Sequence, residues 1–392
     1  MNQTKSNFLA NTYSPFPVTL VKGKGAILQD DKGKEYIDLT SGIAVNTFGV
    51  ADSQWVQVVI TQLETLTHTS NLYHTQPAQQ LAELLCQKTG MSKVFFSNSG
   101  AEANECAIKA ARKYAAQTLG KDHVYIVTLT GSFHGRTLAT LAATGQEEYH
   151  KLFQPLPEGF VHAKAGDISD LKKILQQYPC AAILLEPVQG EGGVNALDFT
   201  YLQQVEALAK QHNILLMVDE VQCGNGRTGK LYGYMHSGIQ PNIIITAKGL
   251  AGGLPLGATL FDEKTAEVFQ AGDHGSTFGG NPVCCAAAIH TLNELSPEFL
   301  DGVTHKTKII QQTLQGKKGI VSLSGLGLMI GVETQADATE IVNVCIQQGV
   351  LVLKVKNKIR LLPPLNISEE QLKQALDIFC SVVSNQTKEK GE

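Results

Sequence analysis

The chain has no long hydrophobic run, no Cys-x-x-Cys pair, no internal repeat and no excess of basic residues. Each lack excludes a class of protein. The longest apolar stretches, such as Ile214-Leu215-Leu216-Met217-Val218, fall far short of the ~20 residues a membrane helix needs. A formal net charge of −4 gives neither nucleic acid nor an anionic membrane a reason to bind. The eight cysteines are scattered, and the adjacent pair Cys284-Cys285 suits neither an ordinary disulfide nor a tetrahedral metal site. Free thiols in a reducing cytoplasm are therefore expected, with no metal site. The first residues, Met1 to Asn7, also lack the basic-then-apolar order of a secretory signal.

What is present fits a large globular enzyme. At 392 residues, 43% hydrophobic and 17% charged, the chain can bury a sizeable core and form two domains. Up to about Asn46, turn-like clusters (Gly23-Lys24-Gly25, Asp30-Asp31-Lys32-Gly33) separate short strand-like runs, which predicts hairpins. From Thr47 to Ala286, apolar strands alternate with helical stretches. Val94–Phe96, Val124–Val127, Ala182–Leu185, Ile214–Val218 and Ile243–Ile245 are the strand candidates, and this is the pattern of a mainly parallel sheet. A helix is expected from Val283 to Leu295, then strands at Leu328–Val332 and Lys358–Leu362. A last helix follows the capping residue Ser368, with a frayed tail from Asn385. The expected division is a segment 1–46 packing with a small α+β domain at 287–392, and a large domain at 47–286.

Two strand ends carry the chemistry. Lys248 follows the run Ile243-Ile244-Ile245, and Asp219 follows Ile214–Val218. Open α/β sheets place ligands at the carboxyl ends of their strands, so an amine and a carboxylate share one crevice. A lysine amine can carry a carbonyl cofactor covalently, and a carboxylate can keep a pyridine nitrogen protonated so that the ring draws electrons. Pyridoxal phosphate needs both. Its phosphate has a candidate cradle at Ser99-Gly100-Ala101, where a strand passes into a helix whose first N–H groups are free to bind an anion. Gly224-Asn225-Gly226-Arg227-Thr228-Gly229 matches a dinucleotide fingerprint and nearly a P-loop. No amphipathic helix follows it, and Leu231 stands where a P-loop needs Ser or Thr. A glycine-rich surface loop is the expectation there.

Six motifs in series resemble the class III (ω-amino) pyridoxal phosphate aminotransferases. They are Ser99-Gly100-Ala101-Glu102-Ala103-Asn104-Glu105, Ser132-Phe133-His134-Gly135-Arg136-Thr137, Glu186-Pro187-Val188-Gln189-Gly190-Glu191-Gly192-Gly193, Asp219-Glu220-Val221-Gln222, Ala247-Lys248-Gly249 and Gly275-Ser276-Thr277-Phe278-Gly279-Gly280-Asn281-Pro282. The resemblance spans nearly the whole chain. It implies the aminotransferase fold type I, with a mainly parallel sheet in a large α/β domain and a smaller α+β domain. It also implies that Lys248 carries pyridoxal 5′-phosphate and shuttles the proton, that Asp219 pairs with the ring nitrogen and that Gln222 bonds the phenolic oxygen. Phe133 would stack on the ring, Ser99, Gly100 and Ala101 would hold the phosphate, and Glu220 and Val221 belong to the same cofactor-binding motif. Members of the family are homodimers in which the partner chain completes the site; Thr277 would reach the phosphate and Ser276 the substrate across that interface.

Substrate roles follow from the same resemblance. Arg136 would grip the α-carboxylate of N-acetylornithine, and Arg360 that of glutamate or 2-oxoglutarate, since a guanidinium binds a carboxylate through two hydrogen bonds. Glu191 would pair with Arg360 while the donor is bound and release it for the keto acid. Tyr13 matches a tyrosine near the substrate. The implied reaction is N-acetylornithine:2-oxoglutarate δ-amino transfer in arginine biosynthesis; succinylornithine, ornithine and 4-aminobutyrate stay open as donors. Two other classes are weighed: an aminomutase of the same fold, disfavoured by the Arg360–Glu191 match, and an oxidoreductase built on Gly224–Gly229. One departure falls at Gly49-Val50-Ala51-Asp52-Ser53-Gln54, where many relatives read Gly-His-x-His-Pro, which puts the start of the next helix in question.

Overall fold

The computed structural model describes residues 8–387, so the signal-type reading of Met1 to Asn7 lies outside the described residues. Turn residues punctuate the first strands as expected: β1 (Leu20–Lys24), β2 (Ile27–Asp30) and β3 (Glu35–Asp38) form an antiparallel meander. Asp30 closes its second turn by accepting the N–H groups of Lys32 and Lys34, each at 2.9 Å. After β3 the backbone makes a left-handed turn, with φ of 49° at Ser41, 61° at Gly42, 66° at Ile43 and 60° at Ala44. Non-glycine residues lose roughly 1–2 kcal/mol each in that region, so the turn must be held from outside. Asp38 accepts from Thr40 and Ser41, and the Ser41 hydroxyl donates to the Leu362 carbonyl at 2.7 Å.

The central sheet contains β4 (Lys93–Ser97), β5 (Tyr125–Leu129), β6 (Phe160–Ala163) and β7 (Cys180–Leu185). After a small ribbon of β8 (Val188–Gln189) and β9 (Asn195–Ala196), it is completed by β10 (Leu215–Asp219), β11 (Ile243–Thr246) and β12 (Gly257–Phe261). Its spatial order is β4-β12-β11-β10-β7-β5-β6. Neighbours from β11 to β6 are parallel, while β12 runs antiparallel between β4 and β11. β7, β10 and β11 are buried at every position, which is why they read as continuous apolar runs rather than alternating ones. The expected strands are all present. β6 and β12 are additional: a histidine interrupts β6, and β12 emerges directly from the glycine-rich stretch at 252–257.

The helix Gly100–Thr118 buries Ala103, Ala107, Ala110, Ala111 and Tyr114. The alanines among them let its backbone lie close over the sheet. Asp52 caps the helix Ser53–Thr65 by accepting from the Trp55 N–H at 3.0 Å, so the departure at 49–54 still starts a helix. The helix Pro282–Glu294 lies within one residue of its expected bounds.

The smaller domain carries β13 (Ile320–Leu326), β14 (Met329–Thr334), β15 (Val350–Leu351), β16 (Leu353–Val355) and β17 (Lys358–Leu361), with an antiparallel sheet in the order β13-β14-β17-β16. β15 instead pairs in parallel with β3, Val350 against Ile37 and Leu351 against Asp38. The last helix, Glu369–Gln386, opens on Ser368, whose hydroxyl accepts from the Gln371 N–H at 3.1 Å. Asn385 and Gln386 complete that helix rather than fraying, because its inner face stays packed through Val382 and Val383; residues 388–392 of the expected tail lie outside the described residues. The glycine-rich loop is also corrected. Residues 224–228 are buried, and the Arg227 guanidinium donates to the carbonyls of Leu328 (3.2 Å) and Pro363 (2.5 Å). This loop is an internal joint to the smaller domain. Among the described residues, no helix is long and apolar enough to cross a membrane.

Candidate active site

The carboxyl ends of β4, β10 and β11 face one cavity of about 500 Å³, lined among others by Tyr13, Gly100, Phe133, Arg136, Asp219 and Lys248. That volume suits a small cofactor with its substrate. At the end of β10, Asp219 is 3% exposed. Its Oδ2 accepts from Asn104 Nδ2 and lies against His134 Nδ1, both at 2.8 Å, and its Oδ1 accepts from the Val221 N–H at 3.0 Å. Three partners on the inner side fix which way the carboxylate points. Asn104 and His134 fall within the sequence motifs, but the sequence alone assigns neither a role. A polar residue on the alanine face of the helix Gly100–Thr118 was the available signal for Asn104.

Lys248 leaves β11 with a φ of 46°, on the left-handed side where lysine is uncommon. Its neighbours hold it there. Asn225 Nδ2 donates to the Ala247 carbonyl at 3.0 Å, and the Thr47 hydroxyl donates to the Gly249 carbonyl at 2.8 Å. Burial pushes the Lys248 amine below its usual range; nearby Glu191 opposes that shift and Arg360 adds to it. A lowered lysine is closer to the neutral form that attacks a carbonyl.

The turn expected to hold a phosphate begins at Ser99, which caps its helix through the Glu102 N–H at 3.2 Å. The Gly100 and Ala101 N–H groups precede the first intrahelical bond, from Ala103 N–H to the Ser99 carbonyl. Glycine is required at 100, because a Cβ there would stand 2.7 Å from Val221 Cγ1. Phe133 is half-buried on the cavity wall, and its N–H donates to Glu186 Oε1 at 2.9 Å. Burial and then the neighbouring Asp219 raise the Glu186 carboxyl well above the usual range.

A second cluster adjoins the first. Arg360, on β17 and 3% exposed, donates to Glu191 Oε1 at 2.6 Å and to Gln222 Oε1 at 3.0 Å. Gln222 Nε2 donates to the same Glu191 oxygen at 3.2 Å. The Gln222 amide is thus engaged by this pair, and it lies so near Gly190 that a Cβ there would be 2.3 Å from Gln222 Oε1. Burial pushes the Glu191 carboxyl upward, but Arg360 and the hydrogen bonds bring it below the ordinary range. Arg136 is exposed at the cavity mouth, its guanidinium carbon 4.3 Å from the Tyr149 ring centroid and 5.4 Å from that of Phe133.

Some expected residues stand apart. The Glu220 carboxylate turns away from the cavity and accepts the N–H groups of Gly233 (2.8 Å) and Tyr234 (2.7 Å); burial pushes it up to about 7. Ser276 and Thr277 do not line this cavity; Ser276 is half-buried and Thr277 exposed. Tyr13 lines the mouth yet is 87% exposed.

An anion cradle, an amine of lowered pKa, an oriented carboxylate and an aromatic wall in one cavity fit pyridoxal phosphate. Asn104 Oδ1 and His134 Nε2, on cavity-lining residues, are buried without a protein partner, which also suits a polar occupant. Fold and site together define a pyridoxal phosphate-dependent aminotransferase of fold type I. The chain belongs to the class-III aminotransferase family, which it matches over residues 8–383. It is 48% identical to the acetylornithine aminotransferase of Haemophilus ducreyi over 386 residues, 98% of each chain. Among solved structures, the ornithine aminotransferase of Toxoplasma gondii superposes with a TM-score of 0.91 at 30% identity, covering 97% of this chain and 92% of that one. The N-acetylornithine aminotransferase of Stenotrophomonas maltophilia gives 0.83 at 34%, covering 95% and 96%.

Proposed function

We propose that the protein moves the δ-amino group of N-acetylornithine to 2-oxoglutarate, yielding glutamate, as a cytoplasmic homodimer serving arginine biosynthesis. The observation that carries this reading is the Arg360–Glu191 pair at 2.6 Å beside Lys248. A transaminase must accept two substrates that differ in charge near the reacting amine, and a guanidinium with a releasable counter-ion meets that need. While Glu191 holds Arg360, the donor is bound through Arg136; when Glu191 lets go, Arg360 takes the keto-acid carboxylate and no buried charge is left unpaired.

Pyridoxal phosphate, when bound, supplies an electron sink that acidifies the carbon bearing the transferred amine. Lys248 Nζ would hold the cofactor, and as a free, buried amine of lowered pKa it would accept the proton from the donor carbon. Asp219, oriented by Asn104, His134 and the Val221 N–H, would keep the ring nitrogen protonated. The N–H groups of Gly100 and Ala101 would hold the phosphate and Phe133 would pack against the ring, while Gln222 is bonded to both Glu191 and Arg360. Ser276 and Thr277, turned away from their own cavity, serve the partner's site, and Tyr13 borders the donor.

Ornithine as donor is the second reading, favoured by the backbone likeness to an ornithine aminotransferase. The test is the visible spectrum of the purified enzyme, with N-acetylornithine, ornithine, succinylornithine and 4-aminobutyrate added separately and no keto acid. Bleaching of the lysine-bound cofactor band at the lowest concentration by N-acetylornithine is expected. Bleaching first by another amine reassigns the donor, and the absence of any band after cofactor is supplied defeats the reading.

A further inference from the structure

Asn98 lies between the end of β4 and the helix cap Ser99, and it makes more connections than a linker needs. Its N–H donates to Glu102 Oε2 at 2.7 Å, and its Nδ2 donates both to Glu102 Oε1 and to Ser276 Oγ, each at 3.1 Å. An amide nitrogen has two hydrogens, so both are committed. Glu102 in turn bonds the Ser99 hydroxyl at 3.2 Å, locking the turn that presents the Gly100 and Ala101 N–H groups.

The other end of the connection is equally fixed. Ser276 Oγ accepts the Gly279 N–H at 2.9 Å, and Asn71 Nδ2 donates to the carbonyls of Ser276 and Gly279 at 3.0 Å each. Gly279 lies directly on β4, where a Cβ would come 2.1 Å from the Phe96 carbonyl oxygen. Between these anchors Thr277 and Phe278 face outward, with Phe278 61% exposed. The cofactor turn and the segment 276–279 therefore cannot shift independently.

We propose that Asn98 is a positioning residue that ties together the two active sites of a dimer. One Nδ2 hydrogen holds Glu102, and so the phosphate turn of its own site; the other holds Ser276 of the segment that serves the partner's site. The proposal rests on the shared-site reading of Ser276 and Thr277 given above. A disturbance of the phosphate turn in one protomer is then felt as a displaced substrate contact in the other.

Mixed dimers test this. One protomer carries Lys248→Ala and the other keeps Lys248, so each dimer has one competent site. Asn98→Ala is placed either on the intact protomer or on the Lys248→Ala protomer. The readouts are the cofactor that borohydride still fixes to Lys248 after dialysis of the holoenzyme, and the donor KM and kcat. On the intact protomer, cofactor should be lost about fivefold faster; across the interface, donor KM should rise about fivefold with kcat nearly unchanged, as befits loss of one hydrogen bond on each side. Asn98→Asp, which keeps the shape, removes both donors and sets a carboxylate against Glu102, should shift both readouts in the same directions by more. An unchanged donor KM in the across-interface arrangement overturns the proposal. Thr277→Ala in the same two arrangements tests the reading beneath it: an effect only from the intact protomer removes the shared site, and the proposal with it.

Discussion

Arg360 and Arg136 have the same proposed task, gripping a substrate carboxylate, in opposite surroundings. Arg360 is almost wholly buried, with a carboxylate and an amide as partners. Arg136 is exposed and rests on two aromatic rings. A buried guanidinium cannot wait unpaired, so the inner position comes with a counter-ion that must be displaced before a substrate binds. The outer one is already solvated and needs only orientation, which the ring faces supply without competing for its N–H donors. The inner arginine should therefore influence stability as well as binding, and the outer one binding alone.

The centre both arginines serve gives the largest expected effect. Lys248→Ala should lower transamination by roughly four orders of magnitude, the upper range for loss of a proton-transfer group. Retention of a borohydride-fixed cofactor at full yield would contradict its role. Next, Glu191→Ala leaves Arg360 buried without its carboxylate, and urea unfolding should show a loss of about 3 kcal/mol at neutral pH. Because the Glu191 carboxyl is held below its ordinary range in the fold, the pair's contribution is complete above the unfolded value of about 4.3 and is lost as pH falls through the lowered folded value. Parent and variant should thus converge in acid; a constant gap across pH would show that the loss is packing rather than charge.

Arg136→Ala should change stability by less than about 0.5 kcal/mol, as for an ordinary surface site. It should also raise donor KM by roughly tenfold or more while leaving the 2-oxoglutarate half-reaction near the parent's, the loss of charged hydrogen bonds from one substrate only. Single-turnover kinetics of the two half-reactions separates these, and equal losses would erase the contrast between the arginines. The smallest effect belongs to Tyr149→Leu. Removing one ring from beneath Arg136 should cost about 0.5–1 kcal/mol, a few-fold in donor KM.

The inner site was more legible in the sequence than its mouth or its supports. Lys248 and Asp219 stand out because buried parallel strands are uninterrupted apolar runs, and the polar residue ending each run marks the sheet's functional edge. Asn104 and His134 carried weaker signals, because their work is to orient Asp219 and only the fold brings positions 104, 134 and 219 together. The loop 224–229 misled for a physical reason. Its glycines let the backbone tuck beneath Leu295 and Leu365 rather than bend at the surface, and its arginine finds carbonyl partners more than a hundred residues away. Glu220 was grouped with Asp219 by adjacency, but successive residues at a strand end point to opposite sides. β12 was lost among glycines that also read as a turn.

The parallel pairing of β3 with β15 bears on how the chain is made. Ile37 emerges from the ribosome long before Val350, its partner. At the ~5–20 residues per second of protein synthesis, that edge stays open for about 16–60 s. An unpaired edge is a template for strands of other chains. Through that interval β3 has only β2 beside it in the sheet, while Asp38 at its end carries a charge that discourages a stranger from docking. The N-terminal meander is thus a docking platform translated first and occupied last. Chains released before Val350 should be the ones that associate with each other.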